Sequence, residues 1–366
     1  MTPRFDWMIE AILNNPKIRN VIDSFPVRNK VVCFIRILLK SILFRRNIHN
    51  SHRIIFPGIN DAVIENKLIL GAGKGDVFIN TIANAVSPGT EKGYYLNLPG
   101  FHQQRPFIPG YSGCGLVRSD RTARKKFRPG SLVAGVFKHS SWNIVSSESL
   151  ILVPKNISPR QASFVTLGVI ARCGVRTAEI QTDDRVLILG QGILGQLVLQ
   201  MARSYGAARV EGAALTRSKE KISRQSGIDE FFALSEDGVM PEEIKADRVI
   251  DVTGSVDGFE TALKMVKPAG RVVMLGSIPG YRHKSDWAQL LCEKQAEIAG
   301  AHVRNLEAEG LTYVGEAKAF LNSLASGEVK VDHLITHELT PSEVPDFYRA
   351  LAEGSISPVG VIIKWQ

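Results

Sequence analysis

The 366-residue sequence predicts an α/β protein in which a β-rich unit precedes a doubly wound parallel sheet. Short apolar runs with Gly and Pro between them extend from Ile54 to about Pro154, a pattern typical of strands joined by turns. Beyond Pro159 a helical stretch leads into apolar runs that alternate with amphipathic segments, as in a parallel sheet covered by helices. Residues 1–50 form a helical extension in front of both units.

The composition is that of a globular protein, with 44% apolar and 22% charged residues, which excludes collagen-like and wholly disordered classes. The net charge of +9 is concentrated in two segments: residues 1–50 have nine Lys/Arg and three Asp/Glu, and residues 118–128 have six and one. The remainder is therefore slightly acidic. The four cysteines are far apart in sequence, so we expect no disulfide framework and a cytoplasmic location.

The basic extension shows helical periodicity. Two short helical stretches are separated at Pro16 and stopped at Pro26, and the apolar run Val31–Phe44 follows. This run contains two cations and is too short to span a bilayer. The wide apolar face of residues 28–46 is consistent with docking on the protein body or a dimer partner, or with peripheral contact with an anionic membrane or another partner.

The β-rich unit contains six predicted strands: RIIFPG, AVIENKLI, DVFINTIANAV, GCGLV, SLVAGVF and ESLILVP. The basic segment 118–128 lies between two of them and is predicted to be a solvated hairpin tip. Phe127 is its only aromatic residue, so it lacks the stacking platform of a nucleic-acid site. We therefore expect a small-molecule substrate and no nucleic-acid partner.

A glycine motif follows the apolar strand VLIL. Gly190, Gly192 and Gly195 form GxGxxG directly before an amphipathic helix that begins with Ile193 and Leu194. In this context the glycines permit a tight turn, close approach of a pyrophosphate and close helix–strand packing, while the helix N-terminus attracts the anion. The sequence therefore predicts a dinucleotide site in a Rossmann unit.

The end of the next strand predicts which dinucleotide binds. An NAD site has Asp or Glu there, but this strand ends at Ala214 and is followed by Thr216, Arg217 and Lys219. Cations without a nearby acid suit a 2′-phosphate. We therefore predict NADP(H), the alternative being that Arg217 and Lys219 are a solvated helix start.

The order of elements resembles the medium-chain dehydrogenase/reductase superfamily from about residue 52 onward. The resemblance lies in NTIANAVSPGTEKGYY, PFIPGYSGCGLV, FRPGSLVAG and VKVDHLITHELTPSEVPDFYRAL. SPGTE and TLGVIARCGV are closest to a zinc-poor branch that includes bacteriochlorophyllide hydroxyethyl dehydrogenase and sugar-cluster oxidoreductases. The resemblance implies a GroES-like catalytic domain at 51–160 and 306–366 and a Rossmann domain at 161–305. We also expect the chain to form a homodimer.

The sequence departs from zinc-dependent relatives at both catalytic motifs. Those relatives have a Cys in the first motif and His-Glu in the second, because catalytic zinc needs three such ligands. Here the first motif runs from Ala85 to Glu91 without Cys, and the second reads Gly110-Tyr111-Ser112-Gly113. The cysteines of a structural zinc lobe are missing as well, so we expect no metal.

Without zinc, other groups must stabilise an oxyanion and supply a proton. The candidates near the two motifs are Thr90, Glu91, Tyr94, Tyr111 and His139, the last at a position where the zinc-poor branch often has His. Structural roles are the alternatives: Glu91 as a helix N-terminal acid, His139 as a buried histidine and Tyr111 in packing. Three residues at turns of the Rossmann unit are expected to border the cofactor: Thr166, Thr253 and Gly276.

These features predict a zinc-independent, NADP(H)-dependent oxidoreductase that transfers hydride between nicotinamide and a carbonyl or alcohol of a small organic substrate. Two alternatives remain. One is NADPH-dependent reduction of a conjugated C=C bond in an enone or quinone. The other is a cofactor-binding protein without redox turnover that acts on a partner through its N-terminal extension.

Overall fold

The computed structural model describes residues 6–23, 28–44, 47–237, 241–276 and 287–366. Three helices come first: α1 (Asp6–Leu13), α2 (Pro16–Asp23) and α3 (Arg28–Phe44). Ile9, Leu13 and Ile22 form their buried core, against which one face of α3 packs. The break at Pro16 agrees with the prediction, because proline is favoured at a first helical position. Pro26 lies outside the described residues.

The chain then enters an antiparallel hairpin, β1 (Ile48–Ile55) and β2 (Val63–Leu70). β1 thus begins inside the segment predicted as the helical extension. A seven-stranded sheet follows, in the order β14-β15-β3-β4-β5-β7, with β6 paired to β3. Its strands are β3 (Asp76–Val86), β4 (Gly113–Asp120), β5 (Leu132–Gly135), β6 (Trp142–Ser146), β7 (Leu150–Leu152), β14 (Ile335–Leu339) and β15 (Gly360–Lys364).

A second sheet has six parallel strands in the order β10-β9-β8-β11-β12-β13. Its strands are β8 (Arg185–Leu189), β9 (Arg209–Ala214), β10 (Glu230–Ala233), β11 (Ala246–Asp251), β12 (Val266–Met274) and β13 (Glu297–Gly300). The strand order reverses between β8 and β11, which is the doubly wound arrangement that the alternating sequence pattern predicts.

Nine further helices complete the described fold: α4 (Pro88–Leu96), α5 (Pro159–Ala162), α6 (Val165–Thr177), α7 (Ile193–Ser204), α8 (Glu220–Gln225), α9 (Val256–Met265), α10 (Trp287–Lys294), α11 (Tyr313–Ser326) and α12 (Val344–Glu353). The largest buried cluster joins α6, α7 and β8 to α11 and to Ala83 and Cys114 of the first sheet. Within the described ranges, no helix is long and apolar enough to cross a bilayer.

Candidate active site

The turn after β3 presents two hydroxyl groups. Ser87 precedes α4, Pro88 occupies its first turn, and the Ser87 hydroxyl donates to Thr90 Oγ1 at 3.3 Å. Glu91 folds back so that its Oε1 accepts the Ser87 backbone N–H at 3.0 Å. The carboxylate thereby satisfies a donor that the helix N-terminus leaves free and holds the turn in place.

Glu91 is fully buried and lies in a polar network. His139 Nε2 lies 2.8 Å from Glu91 Oε2, and the Tyr348 hydroxyl donates to the same oxygen. Burial, together with the neighbouring Glu91 charge, raises the pKa of Tyr348 well above its usual value, so the phenol stays protonated as a donor. His139 Nδ1 is buried, and no hydrogen-bond partner for it occurs in the described part of the chain. A ring that donates from Nε2 to the Glu91 carboxylate fits this arrangement.

Gly110 allows His139 to occupy this position. The glycine has φ +94°, and a Cβ there would lie 2.6 Å from both the backbone N and Nδ1 of His139. The His139 backbone N–H donates to the carbonyl of Pro109 at 2.9 Å, which fixes the ring beside the second motif. Only glycine combines this left-handed conformation with such close approach.

Tyr111 follows Gly110 and faces the turn after β3. Burial of its hydroxyl and the Glu91 charge raise the pKa of Tyr111, and hydrogen bonds with the side chains of Ser87 and Thr90 partly oppose that rise. The site therefore contains three neutral hydroxyl groups in contact with one another, beside a buried carboxylate.

Ser112 connects this cluster to the start of helix α6. Its hydroxyl donates to the carbonyl of Ser163 at 2.5 Å and accepts the Thr166 N–H at 3.1 Å. Thr166 stands in the first turn of α6, and its hydroxyl lies 2.8 Å from the Tyr313 hydroxyl. Because Ser112 follows Tyr111 directly, the first turn of α6 lies next to the hydroxyl cluster.

The residues at the two motifs do not fit a zinc ion. Ser87, Tyr111 and Ser112 offer hydroxyls in place of thiolate, imidazole and carboxylate ligands. Glu91 and His139 are only two ligands, and they are bound to each other. Among the residues that the structure describes, no group of three or more His, Cys, Asp or Glu could hold a metal ion.

The glycine loop after β8 fits a dinucleotide pyrophosphate. Gly190 has φ +99°, and a Cβ on Gly195 would lie 2.0 Å from the Gly190 carbonyl oxygen. A Cβ on Gly192 would meet no atom within 4 Å, so open space lies over this residue. Gly192 precedes α7 without a side-chain cap, which leaves the first-turn N–H groups of Ile193 and Leu194 available for an anion.

Thr253 and Gly276 lie at the carboxyl ends of the strands next to this loop. The Thr253 hydroxyl donates to Oδ1 of Asp251 at 2.7 Å, and a Cβ on Gly276 would lie 2.4 Å from the backbone N of Gly254. Asp251 is fully buried, and burial raises the pKa of its carboxyl. For its Oδ2 atom, no partner exists within the described ranges.

The residues after β9 are already engaged with protein groups. Arg217 pairs with Glu220 and Asp237, and the Lys219 ammonium donates to the Ser357 carbonyl. The Thr216 hydroxyl lies 3.0 Å from that of Ser218. Arg217 is nevertheless half exposed, so a competing phosphate can reach it, and exposed ion pairs contribute little stability.

The structure brings the four predicted catalytic residues into one cluster and the three glycines into one loop. Sequence reasoning missed Ser87, Ser112 and Tyr348. Ser87 and Ser112 stand inside the two motifs. A search for hydroxyl groups in the motifs where zinc-dependent relatives have zinc ligands would have found them. Tyr348 is 257 residues from Glu91, and no local pattern indicates that contact.

Comparison with known proteins agrees with this architecture. Residues 194–317 match the family model of zinc-binding dehydrogenases. The chain is 24% identical over 337 residues to the zinc-type alcohol dehydrogenase-like protein YphC of Escherichia coli, covering 83% of this chain and 92% of that protein. It is 29% identical over 246 residues to the chloroplastic NADPH-dependent alkenal/one oxidoreductase of Arabidopsis thaliana, covering 62% of this chain and 63% of that protein.

A crystal structure of a Sinorhizobium meliloti 1021 protein bound to NADP has the same fold. It superposes with a TM-score of 0.75 at 17% identity, covering 86% of this chain and 99% of that one. At this identity the likeness establishes the fold alone.

Proposed function

Because the chain belongs to the medium-chain dehydrogenase/reductase superfamily, we propose that it is a zinc-independent, NADP(H)-dependent oxidoreductase that interconverts a carbonyl and an alcohol of a small organic substrate. The observation that carries the proposal is the contact of Tyr111 with Ser87 and Thr90 at the two motifs where relatives hold zinc ligands. When bound, the nicotinamide supplies or accepts the hydride.

Tyr111 is the proposed proton donor to the carbonyl oxygen. A neutral phenol with a raised pKa remains protonated at neutral pH and can donate a hydrogen bond to the oxygen on which negative charge develops. The phenolic proton passes to that oxygen to give the alcohol. The hydroxyls of Ser87 and Thr90 are placed to stabilise the phenolate and to relay a proton from water that restores the phenol. The reverse reaction moves the same proton back.

Glu91 and His139 position these hydroxyls in the proposed site. Both side chains are fully buried, and they are bound to each other and to the Ser87 backbone or Tyr348. Such groups have no access to substrate in this arrangement. Their effect on catalysis is therefore exerted through the turn that carries Ser87 and Thr90.

The cofactor is proposed to lie across the carboxyl edge of the six-stranded sheet. The pyrophosphate would take the N–H groups at Gly192, Ile193 and Leu194, and the nicotinamide would lie towards Thr166. Arg217, Thr216 and Lys219 stand at the adenosine end, where the last residue of β9, Ala214, is not an acid that could bind a free 2′-hydroxyl. This composition supports NADP(H) over NAD(H).

Reduction of a conjugated C=C bond is the second candidate. Tyr94 lies 5.4 Å from Phe101 and 5.0 Å from Phe107, so an aromatic group stands beside α4 where a flat enone can stack. A C=C reductase needs no Lewis acid, and one relative is named for alkenal/one reduction. A cofactor-binding protein without turnover is the remaining alternative.

Cofactor titration and a substrate panel separate these candidates. NADPH is expected to bind more tightly than NADH, and NADPH oxidation is expected with aldehydes or ketones. Turnover restricted to enones would replace the first candidate by the second. Tight NADPH binding without turnover on any substrate, and a partner lost on deletion of residues 1–50, would favour the third.

We also propose a cytoplasmic homodimer. The wide spacing of the four cysteines supports a reducing compartment. β13 is the edge strand of the six-stranded sheet, and Ile298 on it is exposed. Light scattering of the purified protein tests the dimer, and a monomeric mass at micromolar concentration would contradict it.

A further inference from the structure

The end of the N-terminal extension and the basic hairpin after β4 lie close together. The N-terminal extension leads through Asn47 into β1, and the Gly71 N–H donates to the Asn47 carbonyl at 2.9 Å. The basic hairpin after β4 joins the same region, where the Gly75 N–H donates to the Arg121 carbonyl at 3.0 Å. Asn47, at the end of the extension, and Arg121, in the basic hairpin, therefore lie close to the same short stretch of chain, residues 71–75.

A cavity of about 400 Å³ opens where they converge. Its polar and aromatic lining comes from Asn47, His49, Phe78, Arg118, Ser119 and Arg121. The lining residues include no Asp or Glu. The carboxylate of neighbouring Asp120 is occupied by the backbone N–H groups of Thr122 and Phe127. We call this space the basic cavity.

The side chains of the basic cavity are held by aromatic contacts and leave cationic groups available. The Arg118 guanidinium lies 5.9 Å from the Trp142 ring centroid, and the His49 ring lies 4.6 Å from both Phe78 and Trp142. In the part of the chain that the structure describes, neither Arg118 nor Arg121 has a carboxylate partner. Two guanidinium groups and the amide of Asn47 are therefore free to bind a phosphate.

Helix α3 presents an apolar stripe close to this cavity. Phe34, Leu38 and Ile42 follow one another at four-residue intervals and are 49%, 40% and 67% exposed. The neighbouring face of α3 packs on α1 and α2 through residues such as Ile35 and Leu39. Ile42 precedes Asn47 by five residues, so the end of the stripe lies within about 18 Å of the basic cavity.

We propose that the basic cavity and the Phe34–Leu38–Ile42 stripe together form a docking surface for an anionic phospholipid bilayer. The phosphate of a lipid headgroup binds between Arg118 and Arg121, and the stripe enters the boundary between headgroups and acyl chains. An apolar stripe beside an anion site favours a lipid surface over nucleic acid, which offers phosphates without an apolar phase.

Vesicle flotation of the full-length protein tests this proposal. Neutral phosphatidylcholine vesicles are compared with vesicles that contain about 30 mol% phosphatidylglycerol, at moderate salt. The wild type is expected to float with the anionic vesicles and not with the neutral ones. R118A/R121A is expected to lose roughly 30-fold in apparent affinity, since each cation near the surface contributes a factor of about five. F34S/L38S is expected to lose binding to a similar extent.

Matched controls keep the test specific. K155A/K318A removes two exposed cations elsewhere and is expected to bind as the wild type does. All variants change exposed side chains, so cofactor-induced thermal shifts equal to those of the wild type establish that they fold. Equal flotation of all four proteins, flotation with neutral vesicles, or binding to duplex RNA in place of vesicles would overturn the proposal.

Discussion

His139 Nε2 lies 2.8 Å from Glu91 Oε2, and both side chains are fully buried. This pair joins the second motif to the turn after β3, because Glu91 also accepts the Ser87 N–H. The Glu91 carboxylate and His139 Nε2 are thus already hydrogen-bonded to other protein groups. Within the described residues, His139 Nδ1 is the atom of this pair that has no partner. The hydroxyls of Tyr111, Ser87 and Thr90 remain for the reaction.

The pair makes a stability prediction. H139A leaves the Glu91 carboxylate buried with one donor fewer, and it is expected to lower the free energy of unfolding by about 3 kcal/mol or more. Urea denaturation measures this, with H102A as the matched control at an exposed histidine. Unchanged stability combined with abolished turnover would make His139 a catalytic residue and contradict the positioning role.

The glycine loop predicts a separation of folding from cofactor binding. In G192V the new side chain enters open space, so the melting temperature without cofactor should stay near that of the wild type, while NADPH should no longer raise it. In G195A the Cβ meets the Gly190 carbonyl oxygen, so the protein itself should be destabilised. An NADPH-induced shift that survives in G192V would place the pyrophosphate elsewhere.

Cofactor preference is predicted to depend on Arg217. R217A should weaken NADPH binding about tenfold, because a charge-assisted hydrogen bond to the 2′-phosphate is lost, and NADH binding should not change. R224A is the control, since Arg224 also pairs with Glu220 but lies seven residues further along the chain. Equal losses for the two cofactors in R217A would show that Arg217 does not read the phosphate.

Asp251 predicts a pH dependence of stability. Burial raises the pKa of its carboxyl in the folded state, so the folded protein holds this proton more tightly than the unfolded chain does. Its contribution to stability is therefore complete below the unfolded pKa near 4 and is lost as the pH rises through the folded pKa. D251N keeps the acceptor for Thr253 without the charge.

D251N should therefore melt at a higher temperature than the wild type at pH 8. The difference should shrink as the pH is lowered towards about 4, where the wild-type carboxyl is neutral as well. D257N, at an exposed position in α9, serves as the control. A D251N protein that is less stable at pH 8 would mean that the charge of Asp251 is needed in the folded state.

The sequence predicts the α/β class and the cofactor loop well because both depend on local patterns. The six-stranded parallel sheet follows from alternating apolar and amphipathic segments, and Gly190, Gly192 and Gly195 take the conformations that GxGxxG requires. The strand Trp142–Ser146 was missed, since its polar residues Asn143 and Ser146 weaken the apolar signal. Asn143 is buried there, and its side-chain amide is satisfied because it donates a hydrogen bond to Thr81 Oγ1.

The candidate catalytic residues could be selected from sequence, but their roles could not. Contacts such as Tyr348 with Glu91 depend on the return of α12 to the first sheet, and nothing near residue 91 encodes them. Likewise, Arg217 and Lys219 were predicted as cations without competing acids. The structure places Glu220 and Asp237 beside Arg217. Asp237 lies in the turn that follows β10.

Single-turnover hydride transfer by metal-depleted protein tests the central claim most directly. Wild-type protein treated with a chelator and saturated with NADPH should reduce the substrate found in the panel at an undiminished rate. Y111F should transfer hydride about 100-fold more slowly or worse, at unchanged stability. The control Y205F changes a partly buried tyrosine at the end of α7 and should match the wild type. Activity that requires added zinc, or a Y111F rate equal to that of the wild type, would contradict the account.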